Sequence, residues 1–172
     1  KQQAIPYTSS ESNNTRRCYT QPYTILEREG IRIAIVGMLT PAIPSWLKEE
    51  LWQGLRFEDI TKSAKQAANY LKDKEKADII IGLFHSGWDG GIKSEEYTED
   101  ATKQVATELS GFDIIFFGHD HKEHNSIETN AKGGRVVCLN PSNNAINVAE
   151  ATMTITKNKN HISSKTIKSS IT

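Results

Sequence analysis

A chain of 172 residues carries 21 basic and 21 acidic side chains that cancel, with neither sign gathered into a block. This excludes an electrostatic footprint for a nucleic acid polymer or an anionic membrane surface. Only 37% of the residues are hydrophobic and the mean hydropathy is −0.53, yet the apolar residues fall in runs, and the length suits one domain with its own core.

The longest apolar stretches, ADIIIGLF and FDIIFFG, are far too short to span a bilayer. No basic-then-apolar leader opens the sequence, and the chain is expected to be soluble as given. Cys18 and Cys138 lie far apart without a C-x-x-C pair, so no disulfide framework is expected and the redox compartment stays open. Residues 1–21, which include SSESNNTRR, are polar enough to be loose. A start at Lys1 without methionine is expected either of a mature N-terminus or of a cut inside something longer.

In PYTILEREGIRIAIVG, Tyr23, Ile25, Ile31, Ile33 and Ile35 alternate with other residues around Glu29-Gly30, which predicts a hairpin. Pro41 and Pro44 then forbid a central strand or a helix interior, so a rigid loop and at most a short helix follow. From Glu58 to Leu71, Ile60, Ala64, Ala67, Ala68 and Leu71 recur at helical spacing. Glu58 and Asp59 are expected in the first turn, where the helix dipole favours acid.

ADIIIGLF has the continuous apolar character of a strand covered on both faces. Trp88-Asp89-Gly90-Gly91 reads as a loop, Glu95 to Leu109 as a second helix, and Phe112 to Phe117 as a strand released by Gly111. Residues 78–117 therefore form a βαβ unit with parallel strands and a right-handed crossover. The remainder is expected to be β-rich: a strand from Arg135 to Leu139, another from Ile146 to Thr156, a turn at 157–160, and a strand from His161 to Lys168. No internal repeat is present.

Ligands of open α/β sheets bind beyond the carboxyl ends of the strands, and a histidine follows each strand of this unit. His85 follows IIIGLF, and His119 follows IIFFG. On an extended segment His119 and His121 would point the same way, with Cβ atoms roughly 6 to 7 Å apart at a rise of about 3.3 Å per residue. They could then converge on one ion or on two neighbouring ions.

Imidazole suits Zn, Mn, Fe or Ni, and no cysteine lies near to make a thiolate site. Asp120 should point away and support the histidines indirectly or bond a turn. Asp89 reads as a turn residue, His124 as a solvated loop residue and His161 as a residue of an edge strand. Trp46, Trp52 and Trp88 are expected to pack in the core or dock helices, with an aromatic wall for a substrate as the alternative.

Together, ADIIIGLFHSGWD and GFDIIFFGHDH resemble the second half of a calcineurin-like metallophosphoesterase domain, in the branch of 5'-nucleotidases and 2',3'-cyclic-nucleotide 2'-phosphodiesterases. The hairpin PYTILEREGIRIAIVGMLTP resembles the strand pair that precedes those motifs, so the match runs from about Pro22 to Thr156. The resemblance implies an α/β fold, a layered sandwich of mixed β-sheets with flanking helices, here as a partial domain over residues 22–172. It implies a pair of divalent ions, Zn, Mn or Fe, with His85 and His119 on one ion and His121 on the other. It also implies hydrolysis of nucleotides or related phosphate esters by a metal-activated water, in the periplasm or cell envelope.

The first half of such domains carries an Asp-x-His, a Gly-Asp whose carboxylate bridges the ions, and a Gly-Asn-His motif. None occurs in these 172 residues. Without a bridging carboxylate to offset charge repulsion, three histidines hold two dications poorly, so the chain is expected to be inactive without a missing N-terminal half. The alternative is a non-catalytic metal-binding or interaction domain that keeps the scaffold alone.

Overall fold

Two left-handed residues, Glu29 (φ 49°) and Gly30 (φ 69°), close the hairpin between Thr24–Arg28 (β1) and Ile31–Leu39 (β2). Positive φ at both central positions matches the right-handed twist of the flanking strands. The computed structural model describes residues 20–158 and 161–172, the side chain of residue 161 excepted. Cys18, nearly all of segment 1–21, the side chain of His161 and the centre of the turn expected at 157–160 lie outside the described residues.

After β2 the prolines leave room for a single helical turn, Ile43–Trp46 (α1), and a 3₁₀ turn, Glu49–Leu51. The next helix is Ile60–Asp73 (α2). Asp59 does not sit inside its first turn, as the sequence suggested; its side chain accepts the Lys62 N–H at 2.8 Å and caps the helix. The cap satisfies an N–H that has no partner within the helix. The expected stripe of Ile60, Ala64, Ala67, Ala68 and Leu71 is buried.

Ile79–His85 (β3) runs parallel to β2 with Leu39 opposite His85, and Ile114–Phe117 (β6) runs parallel to β3 with Phe117 opposite Phe84. Arg135–Pro141 (β8) continues the parallel set, and Glu123–Thr129 (β7) closes the far edge antiparallel to β8. The result is one six-stranded mixed sheet in the order β1-β2-β3-β6-β8-β7.

Helix α2 and the short helix Thr102–Glu108 (α3) cover one face, where Ala34, Val36, Ile80 and Ile115 meet Leu71 and Val105. On the other face a long hairpin, Ala149–Asn158 (β9) with His161–Ile171 (β10), covers Ile114, Val137 and Leu139 through Met153, Ile167 and Ile171. The central strands are thus covered on both sides, which is why their sequences are nearly continuous apolar runs. Each fully buried Ile or Leu contributes about 1.5 to 3 kcal/mol.

Strands β8 and β10 run further than the sequence suggested, to Pro141 and Ile171, and three other stretches depart more strongly from the sequence reading. The helix expected over 95–109 is confined to α3, because Gly90–Lys93 (β4) and Thr98–Asp100 (β5) form a small hairpin first. Ser86 prevents an earlier start: its hydroxyl donates to Glu99 O and accepts from Ala101 N, and its carbonyl accepts from the Thr102 hydroxyl. Strand β7 escapes a pattern search because EHNSIET holds one aliphatic residue; its backbone bonds to β8 define it. Finally, β9 begins at Ala149 and not at Ile146, and Ile146 and Val148 are exposed.

Candidate metal centre

The ends of β3 and β6 lie side by side at the carboxyl edge of the parallel strands. His85 is the last residue of β3, and the ladder reaches one step past β6, where Gly118 N donates to Phe84 O at 3.1 Å. Beyond that step the backbone is not extended, contrary to the expectation for His119 and His121. Both residues are left-handed, at φ 90° and 57°.

The cause is Asp120. Its Oδ1 accepts from Lys122 N at 3.3 Å and from Asn140 Nδ2 at 2.7 Å, and its Oδ2 accepts from Trp88 N at 2.9 Å. An aspartate that bonds the backbone two residues on makes a turn of its own, and these bonds tie that turn to β8 and to the loop after β3.

The turn brings His119 onto His85, with Nδ1 of the former 3.3 Å from Nε2 of the latter. His121 lines the same open cavity as His85 and His119, together with Ser142 and Asn143. Its carbonyl accepts the Ser142 hydroxyl at 2.9 Å. Ser142, Asn144 and Ala145 are left-handed as well, so five non-glycine residues of this rim hold a sparsely populated backbone conformation. Such strain gathers where structure is over-determined around a site.

Glu99 and Asp100, which the sequence had placed inside a helix, complete the cluster. Glu99 Oε1 lies 2.9 Å from His119 Nε2, and Asp100 Oδ1 lies 4.0 Å from the same nitrogen. Among the described residues, Glu99, Asp100 and His119 are the one group of three such side chains whose ligand atoms all lie within 4.8 Å of one another. Two acids of the β4–β5 hairpin that the sequence reading did not single out therefore stand beside His119. Nothing in the local sequence marks them, because TED reads equally well as the acidic first turn of a helix.

Burial lowers the pKa of His85, and the neighbouring His119 and His121 lower it further. Burial raises the pKa of Asp100, against the bond that its carboxylate accepts from Gly87 N at 2.6 Å. Three imidazoles that line one cavity are a donor set that fits Zn, Mn or Fe.

The remaining candidates fall outward from this point. Trp46 is exposed, and its ring lies 5.2 Å from that of His119, so it forms a wall of the site and not part of the core. Trp52 packs against Phe57. Trp88 packs against Phe117 and, at 4.1 Å, against His124. His124 is therefore not a solvated loop residue: it belongs to β7, and its Nε2 lies 2.8 Å from Ser126 Oγ. Asp89 is exposed and paired with Lys93 and Lys103, which lower its pKa. Cys138 is buried within β8, where burial pushes its thiol up to about 12, and it takes no part in the cluster.

The model of the calcineurin-like phosphoesterase family matches residues 13–123. The chain is 30% identical over 121 residues to the trifunctional nucleotide phosphoesterase protein YfkN of Bacillus subtilis, a match that covers 68% of this chain and 8% of that protein. It is 28% identical over 135 residues to a 2',3'-cyclic-nucleotide 2'-phosphodiesterase/3'-nucleotidase of Haemophilus influenzae, covering 71% of this chain and 20% of the relative.

The crystal structure of calcineurin-like phosphoesterase YfkN from Bacillus subtilis superposes with a TM-score of 0.77 at 23% identity, over 96% of this chain and 54% of that one. A Thermus thermophilus 5'-nucleotidase precursor superposes with a TM-score of 0.64 at 19% identity, over 86% and 29%. These likenesses show the same mixed α/β fold. The chain spans between 8% and 20% of the length of the curated relatives it matches.

Proposed function

The chain belongs to the calcineurin-like phosphoesterase family, and we propose that residues 22–172 form the second half of a metal-dependent phosphoesterase domain acting on nucleotides or related phosphate esters. The observation that carries this reading is the convergence of His85, from the end of β3, and His119, from the turn after β6, at 3.3 Å. Relatives named nucleotidases and cyclic-nucleotide phosphodiesterases support the substrate class.

His85, His119 and His121 are the residues that would hold divalent ions, Zn, Mn or Fe. Such ions polarise a phosphoryl group and generate a nucleophile from water near neutral pH. The chain's own contribution is to favour the neutral form of His85 by burial, to fix the imidazoles from strand ends, and to wall the site with Trp46. By itself the chain is inactive in this reading, because the Asp-x-His and Gly-Asn-His segments are not among its residues. Export to the periplasm or cell envelope belongs to the same proposal and rests on the resemblance.

A longer protein that contains this chain, assayed on nucleoside monophosphates, cyclic nucleotides and an aryl phosphate with Mn or Zn, tests the reading. Metal-dependent hydrolysis, read as phosphate release from the monoesters and as ring opening to a nucleoside monophosphate from the cyclic nucleotides, is expected and should be lost in a His85→Ala/His119→Ala variant; no hydrolysis of any substrate refutes the reading. A second reading, a scaffold that binds metal without catalysis, is favoured by the motifs this sequence lacks. It fails if the longer protein encodes those motifs and turns over.

A further inference from the structure

We propose that Glu99 is the positioning residue of His119: it accepts the Nε2–H and so selects the one tautomer in which Nδ1 is bare and faces His85. The inference rests on the metal-site reading above and adds a residue that neither the motifs nor the resemblance assigns.

The geometry of Glu99 is that of a carboxylate held at both oxygens. Oε2 accepts from Ile92 N at 2.7 Å, and Oε1 meets His119 Nε2 at 2.9 Å. The hairpin is shaped to leave it room. Gly91 is left-handed at φ 62°, and a Cβ there would stand 2.6 Å from the Glu99 carboxyl group. Asp100 is not a rival for the same proton, because its Oδ1 stays 4.0 Å from His119 Nε2 and takes the Gly87 N–H instead.

A neutral imidazole has one N–H. Were it on Nδ1, the lone pairs of Nε2 and of a carboxylate oxygen would face each other at 2.9 Å in a site that is largely shielded from water, with exposures of 18% and 12%. With the proton on Nε2 the same contact is a charge-assisted hydrogen bond, and Nδ1 keeps its lone pair toward His85 Nε2. The partner of one ring nitrogen thereby decides which nitrogen is free to ligate. Glu99 also restrains a ring whose backbone is left-handed at φ 90° and whose outer face meets Trp46.

Two measurements on the 172-residue chain test this. Long-range ¹⁵N NMR of the metal-free chain at about pH 8, where an ordinary imidazole is neutral, should show His119 as the Nε2–H tautomer in the wild type. In Glu99→Ala it should shift toward the Nδ1–H form, and Glu99→Gln, of the same size with one carbonyl acceptor, should largely restore it. An unchanged tautomer in Glu99→Ala overturns the proposal.

Calorimetric titration with Zn or Mn should then show affinity reduced about 10- to 100-fold in Glu99→Ala and less in Glu99→Gln. Equal affinity in all three overturns it, and a loss as complete as that of His119→Ala overturns it too, by making Glu99 a direct ligand. If the wild type binds no ion, the metal reading fails, and the tautomer measurement still decides the role of Glu99.

Discussion

Nδ1 of His119 faces Nε2 of His85 across 3.3 Å, although one follows β6 and the other ends β3. Two nitrogens at that separation either share a proton or share an ion. Added Zn or Mn at about 100 times the dissociation constant should stabilise the chain by about 2.7 kcal/mol, which for a domain of this size is a rise in melting temperature of about 5 to 10 °C. The rise should vanish in a His85→Ala/His119→Ala variant. Scanning calorimetry with and without metal reads it, and no shift at saturating metal refutes a site in this chain.

A methyl group on Gly87 would stand 2.6 Å from Asp100 Oδ1 and 2.7 Å from Asp120 Cβ, whereas a methyl on Gly118 would meet nothing within 4 Å. Gly87→Ala should therefore displace both acids, destabilise the chain by about 1 to 3 kcal/mol and weaken ion binding. Gly118→Ala should stay within about 0.5 kcal/mol of wild type. Urea denaturation of the two variants compares them directly, and equal losses would contradict this placement of Gly87.

His124 is partly buried between Trp88 and Phe117, and burial lowers its pKa below the ordinary 6.5, with Glu128 and Asp120 opposing the shift. His85 is lowered in the same direction. A folded-state pKa below the unfolded one means that the unfolded chain binds more protons. Stability is then full above about pH 6.5 and falls as the pH drops through that value toward the folded pKa. In metal-free buffer His124→Phe should flatten this fall, as read by melting temperature between about pH 8 and pH 5. A slope no different from wild type would show that His124 titrates normally.

Ile115 is fully buried at the centre of the sheet, opposite Gly82 of β3 and Cys138 of β8. Ile115→Ala should cost about 2 to 5 kcal/mol, the transfer loss plus a cavity. Its urea midpoint should fall with an unchanged slope. A loss below about 1 kcal/mol would mean that the two layers collapse onto the gap.

The candidate site was half legible. GHDH and the histidine after IIIGLF stood out because a buried strand that ends in a histidine is unusual, and the parallel pairing of β3 with β6 brings both ends to one edge. The left-handed turn after Gly118 was not legible, since it depends on Asp120 reaching Trp88 N and Asn140 from far along the chain. Glu99 and Asp100 were hidden for a similar reason. Their bonds to Ile92 N and Gly87 N exist only once the β4–β5 hairpin folds back on the loop after β3.

What these 172 residues determine by themselves is local and periodic: the β1–β2 turn, the apolar stripe of α2, and the continuous apolar runs of β3 and β6. Side-chain patterning and allowed backbone angles are properties of neighbours in sequence. Tertiary packing decided which acids stand beside His119, that His124 stacks on Trp88, and that EHNSIET becomes the edge strand β7. Each of these depends on groups brought together from distant positions, where the energy of a polar contact is set by burial and by the partner supplied across the fold.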